Sequence, residues 1–99
     1  MASWAAANPE IAAAWVFGSR ARCDHSPESD LDIAVEIIAA SGDEDSLCTW
    51  FRCSDRLMKD LSGRIPYRVQ IEWYGGEEET PTIHRGLQRS SVLAYAKGV

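Results

Sequence analysis

The chain has 99 residues, 45% of them hydrophobic and 25% charged, with a formal net charge of −5. That is room for one ordinary domain, residues 1–99, and not for two. Fifteen Asp and Glu against ten Lys and Arg exclude a broad footprint on a nucleic-acid backbone, which needs a basic surface; the balance suits an acidic site that holds cations, or an acidic surface facing a basic protein.

The N-terminal stretch MASWAAANPEIAAAW is rich in alanine but has no positively charged leader, and no apolar run approaches the ~20 residues of a membrane span. Three cysteines, Cys23, Cys48 and Cys53, an odd count, fit a reducing compartment. The expectation is a cytoplasmic protein with no membrane partner. A domain this small is stabilised only marginally by its own burial, so a protein partner or a homo-oligomer is a natural addition.

In chain order, residues 2–7 favour a helix, and Asn8-Pro9 suggests the cap and first position of a second helical turn. Ala14 to Phe17 then reads as strand and stops at Gly18. Residues 20–29 are polar and carry Asp24, His25, Ser26 and Pro27, a loop. LDIAVEII, with Leu31, Ile33 and Val35 alternating against Asp32, Ala34 and Glu36, is a second strand. After the loop AASGDEDS, Asp45 or Ser46 caps a helix to about Leu61, with Leu47, Trp50, Phe51, Leu57, Met58 and Leu61 at helical spacing and Ser62-Gly63 as its stop. YRVQIEWY is a third strand, with Tyr67, Val69, Ile71 and Trp73 on one face and Gln70, Glu72 and Tyr74 on the other. GGEEET is a polar turn, and TPTIHRGLQRSSVLAYAKG reads as a closing helix weakened by Gly86. Strands interleaved with helices predict an α/β (α+β) domain: a small mixed β-sheet with helices packed on one side.

The chemistry is concentrated in VFGSRARCDHSPESDLDIAV, residues 16–35. Asp30 and Asp32 stand two apart on a strand, on one face, separated by roughly 6.5–7 Å along the backbone. Carboxylates that close repel each other unless a cation lies between them. Hard oxygen donors of this kind suit Mg²⁺, which takes one or two carboxylates together with waters and substrate phosphates. Gly18 lets the backbone approach a ligand closely, Ser19 and neighbouring amides can donate to phosphate oxygens, and Arg20 and Arg22 add positive charge beside them. Other groups have plainer readings. Cys23 with His25, and Cys48 with Cys53, match no ordinary zinc spacing and read as idle or buried thiols. His84 reads as a helix-surface residue, the tryptophans as core or interface residues, and Glu77–Glu79 as a solvated turn.

Gly18-Ser19, ten intervening residues and Asp30-Leu31-Asp32 resemble the signature of the nucleotidyltransferase superfamily related to DNA polymerase beta. The wider stretch FGSRAR…SDLDIAV resembles its smallest branch, the minimal nucleotidyltransferases. The resemblance implies the nucleotidyltransferase fold and transfer of a nucleoside monophosphate, AMP in characterised cases, from a Mg²⁺-bound triphosphate such as ATP to an acceptor. On it, Asp30 and Asp32 are catalytic metal ligands, and Gly18, Ser19, Arg20 and Arg22 bind the nucleotide. The family's third acidic residue lies on a later strand, which here reads VQIEW. Either Glu72 is that catalytic metal ligand, or the position belongs to Gln70 and the ligand is a neutral amide. Cys23 also stands where many relatives have Gly. Members of this branch are commonly paired with a small helical toxin of the HEPN ribonuclease type, which implies an antitoxin that modifies a protein acceptor. Two alternatives stay open: a binding module of the same fold that neutralises its partner by masking it, and a nucleotidyltransferase acting on a small molecule or RNA.

Overall fold

The computed structural model describes residues 2–18, 31–40, 42–65 and 68–97. Among them the elements run α1 (Ala2–Ala7), β1 (Ile11–Phe17), β2 (Leu31–Ile37), α2 (Ser46–Arg64), β3 (Val69–Trp73), α3 (Pro81–Arg89) and β4 (Ser91–Ala96). The strands form one mixed sheet in the order β3-β2-β1-β4. β1 pairs antiparallel with both β2 and β4, whereas β2 and β3 are parallel, joined by the crossover through α2.

One face of the sheet carries the core. Leu31, Ile33, Val35 and Ile37 of β2 alternate onto it and meet Val69 and Ile71 of β3, Ile11 and Ala14 of β1, Trp4 and Ala5 of α1, and Cys53, Leu57 and Leu61 of α2. The buried stripe of α2 is Thr49, Cys53, Leu57 and Leu61, four residues apart, flanked by Trp50 and Met58. Phe51, expected on that stripe, instead points away and is 73% exposed. Asp45 caps the helix, its carboxylate accepting from the Cys48 amide at 3.0 Å. The expected stop at Ser62-Gly63 is overrun: the helix continues to Arg64, and Gly63 does not adopt the positive φ of a helix-ending glycine.

Asn8-Pro9 does not open a second helical turn. The Asn8 side chain donates to the Trp4 carbonyl at 2.7 Å, satisfying a carbonyl that the end of α1 leaves without a partner, and the chain turns at Pro9 into β1. β1 is longer than expected, beginning at Ile11, and it carries a bulge. Ile11 pairs with Ile37 but Ala13 pairs with Glu36, so Ala12 is an extra residue. The bulge keeps Ile11 and Ala14 on the core face and sets Ala13, Trp15 and Phe17 on the opposite one.

The closing helix is also shorter than expected. It ends at Arg89, where the Ser90 amide donates to the Gly86 carbonyl, and Ser91–Ala96 becomes an edge strand. Local propensity does not decide this segment; backbone pairing with β1 does, from Ala13 opposite Ala96 to Phe17 opposite Ser91. α1 and α2 cover the core face together, but α3, expected on the same side, does not join them. α3 buries no residue and rests against the far side of β1, where a Cβ added at Gly86 would meet the Phe17 ring at 3.4 Å. No helix among the described residues is long and apolar enough to cross a membrane.

Candidate functional site

The sheet face opposite the core holds the polar positions of the central strands, and strand register sorts them into rows. The first row runs Ser91, Phe17, Asp32, Gln70 across β4, β1, β2 and β3. The second runs Leu93, Trp15, Ala34, Glu72. Side chains of residues paired this way share a face, so Asp32, Gln70 and Glu72 all project to the same side. Gln70 is the direct neighbour of Asp32. Glu72 is one pleat farther along β3, roughly 6.5–7 Å beyond, within the combined reach of an Asp and a Glu side chain that share one ion.

Gly18 ends β1 with φ +75°, a backbone conformation in which only glycine is at ease. A Cβ built there would lie 2.6 Å from Oδ2 of Asp32. The backbone of the Gly18 turn is therefore pressed against the carboxylate of the neighbouring strand. Sequence spacing suggested that Gly18 and Asp32 act together; their steric contact is what the fold adds. Ser19, Arg20, Arg22 and Asp30 lie outside the described residues. So do Cys23, His25 and Tyr67. Among the described residues, no group of three His, Cys, Asp or Glu side chains is placed to hold a metal. The described donors of the site are the carboxylates of Asp32 and Glu72 and the amide of Gln70, all hard oxygen donors of the kind Mg²⁺ accepts.

Aromatic side chains close one flank of this face. Trp15 of β1 and Tyr74, the residue just past β3, meet edge to face with ring centroids 5.6 Å apart beside the fully buried Ala34. The Tyr74 hydroxyl and Nδ1 of His84 are hydrogen-bonded at 2.6 Å, their rings stacked. His84 is thus half-buried and fastens α3 to the end of β3, where a free helix-surface residue was expected. Nothing in the sequence marks this pair; nine residues, a glycine-rich turn among them, separate its members.

The two described thiols, Cys48 and Cys53, are inert groups. The Asp45 carboxylate beside Cys48 holds its pKa up, and burial pushes Cys53 up, so neither is poised to form thiolate. Glu77, Glu78 and Glu79 are exposed, as a solvated turn should be.

The polymerase beta nucleotidyltransferase profile matches residues 1–95, nearly the whole chain. The chain belongs to that family. The match makes nucleotidyl transfer the general chemistry of this nucleotidyltransferase fold. A search of curated proteins returned no match.

Proposed function

We propose that this nucleotidyltransferase transfers a nucleoside monophosphate, AMP from ATP, to a protein acceptor in a Mg²⁺-dependent reaction, as the antitoxin of a small helical HEPN-type toxin. The observation that carries the reading is the Gly18 turn against the Asp32 carboxylate, in a chain whose family match spans the site. Asp30 and Asp32, with Glu72 as third carboxylate, would hold Mg²⁺, which when bound neutralises charge on the triphosphate and activates the attacking oxygen. Asp32 is fixed by its strand on one side and by the Gly18 backbone on the other, so little reorganisation is needed when an ion arrives. Ser19, Arg20 and Arg22 would orient the triphosphate with its leaving pyrophosphate in line with the acceptor.

Calorimetric titration with ATP, with and without Mg²⁺, tests the reading. Mg²⁺-dependent binding that is lost in Asp30→Asn and in Asp32→Asn is expected. Transfer of label from α-labelled ATP to a co-expressed partner then reports the acceptor.

A second reading has its own support. Gln70, a neutral amide, is the direct neighbour of Asp32, where a carboxylate would complete the site most simply. If wild-type protein binds neither Mg²⁺ nor ATP while folded, the chain acts as a masking module, neutralising its partner by occupying it.

A further inference from the structure

All fifteen carboxylates of the chain lie in residues 1–80, where seven Lys and Arg leave a formal charge of −8. Residues 81–99 hold Arg85, Arg89 and Lys97 and no Asp or Glu. All three cations are exposed and make no ion pair among the described residues. The same segment forms β4, the edge of the sheet among the described residues, and Arg89 and Lys97 bracket that strand at its two ends. Natural edge strands are blunted by charges or proline that discourage a further strand. The opposite edge, β3, exposes Gln70 and Glu72. β4, SVLAYA, has neither charge nor proline, and it exposes Val92 (55%) and Leu93 (53%), one on each face.

We propose that the outer edge of β4 docks an extended, acidic segment of the partner protein, which adds to the sheet as a fifth strand. The edge amides and carbonyls supply the pairing, Val92 and Leu93 the apolar contact on either face, and Arg85, Arg89 and Lys97 the choice of charge. A second copy of this chain is the poorer occupant. Two-fold pairing of β4 with itself brings the basic segment of each copy against that of the other. Nucleic acid is poorer still, because three cations beside a body of charge −8 give a weak electrostatic footprint. This deepens the reading of a protein acceptor and rests on it. Ser91 shares the row of Phe17 and Asp32, so a strand beside β4 lies three strand spacings from Asp32, about 14 Å. A short turn leaving that strand covers the distance with an acceptor hydroxyl.

The test uses the full chain and three probes: a blocked ten-residue peptide alternating Val or Thr with Glu, its twin with Lys for every Glu, and a single-stranded RNA oligonucleotide. Binding is read by fluorescence anisotropy and the site by hydrogen exchange. The expected result is binding of the Glu peptide alone, with slowed exchange confined to residues 91–96. Arg89→Glu/Lys97→Glu should weaken it about tenfold, as two reversed rim charges do. Binding of the Glu peptide should survive Asp32→Asn, which abolishes only nucleotide binding; loss of nucleotide binding and loss of peptide binding are thus separate failures. Equal binding of the Lys peptide, preferential binding of RNA, protection elsewhere than β4, no peptide binding at all, or a concentration-dependent dimer that itself protects β4 would each overturn the proposal.

Discussion

Replacing Gly18 with alanine perturbs the candidate site in two separable ways. The backbone at φ +75° is strained for any residue with a Cβ, by about 1–2 kcal/mol. For a domain this size that lowers the melting temperature by about 4–16 °C. The new methyl also collides with Asp32: Oδ2, 2.6 Å from the ideal Cβ, has to retreat by about 0.4 Å to reach the 3.0 Å below which such contacts are essentially never seen. The carboxylate is the mobile end of its side chain, so the protein stays folded and the ion site takes the displacement. A misplacement of this order at a reacting centre costs about 10- to 100-fold in rate. Gly42→Ala is the control. Its φ is +93° with nothing within 4 Å of the added Cβ, so it carries the strain without the collision. Thermal melts and Mg²⁺-dependent ATP titrations of both variants decide the matter. Similar losses of melting temperature are expected, with binding and transfer impaired in Gly18→Ala alone. Wild-type binding and transfer in a folded Gly18→Ala protein would refute the claim that the turn positions Asp32.

Other substitutions probe the remaining parts. Glu72→Gln should weaken Mg²⁺-dependent ATP binding about tenfold or more, and Gln70→Asp should strengthen it, both by calorimetry; the reverse order would remove Glu72 from the site. Arg56 donates to Glu10 at 2.6 Å. Burial pushes the Glu10 carboxyl up, but Arg56 with the local amide overrides this and holds it below its ordinary 4.5. A lowered carboxyl stabilises the fold above that value and loses its contribution as the pH falls through the folded-state pKa. Arg56→Ala should therefore cost about 0.5–1 kcal/mol in urea melts at pH 7 and converge with wild type as the pH falls below the carboxyl's ordinary 4.5. Asp45→Ala removes the α2 cap and should lower the melting temperature by about 4–8 °C. Its carboxyl is held low first by the Cys48 amide and then by the Cys48 thiol, so this loss also fades as the pH falls below the ordinary 3.8.

Several elements were legible because one residue pattern determined each of them. The alternation of Leu31, Ile33 and Val35 against Asp32 and Glu36 leaves little but a strand, and Asp45 before a long amphipathic run marks the start of α2. The spacing from Gly18 to Asp32 named two residues that the fold brings into contact. What was hidden depends on other parts of the chain. SVLAYA follows a helix and has no local signal that outweighs it, so only pairing with β1 makes it a strand. The bulge at Ala12 sits in a run of three alanines, where no side chain reports which face it occupies. Whether Gln70 or Glu72 stands beside Asp32 is a matter of parallel register, which the long crossover through α2 leaves unmarked in the sequence.

The extra residue at Ala12 has a bearing on how this domain tolerates insertion and deletion. Removing it would restore unbroken pairing with β2, with Ile11 still opposite Ile37 and Ala13 still opposite Glu36. The alignment of Phe17 and Gly18 with Asp32 would not change. Ala12 itself is therefore dispensable to the register, while the count from Ala13 to Gly18 is not free to change. A single deletion between those two positions rotates every side chain behind it by one face, carrying Trp15 toward the core and drawing the Gly18 turn off its carboxylate.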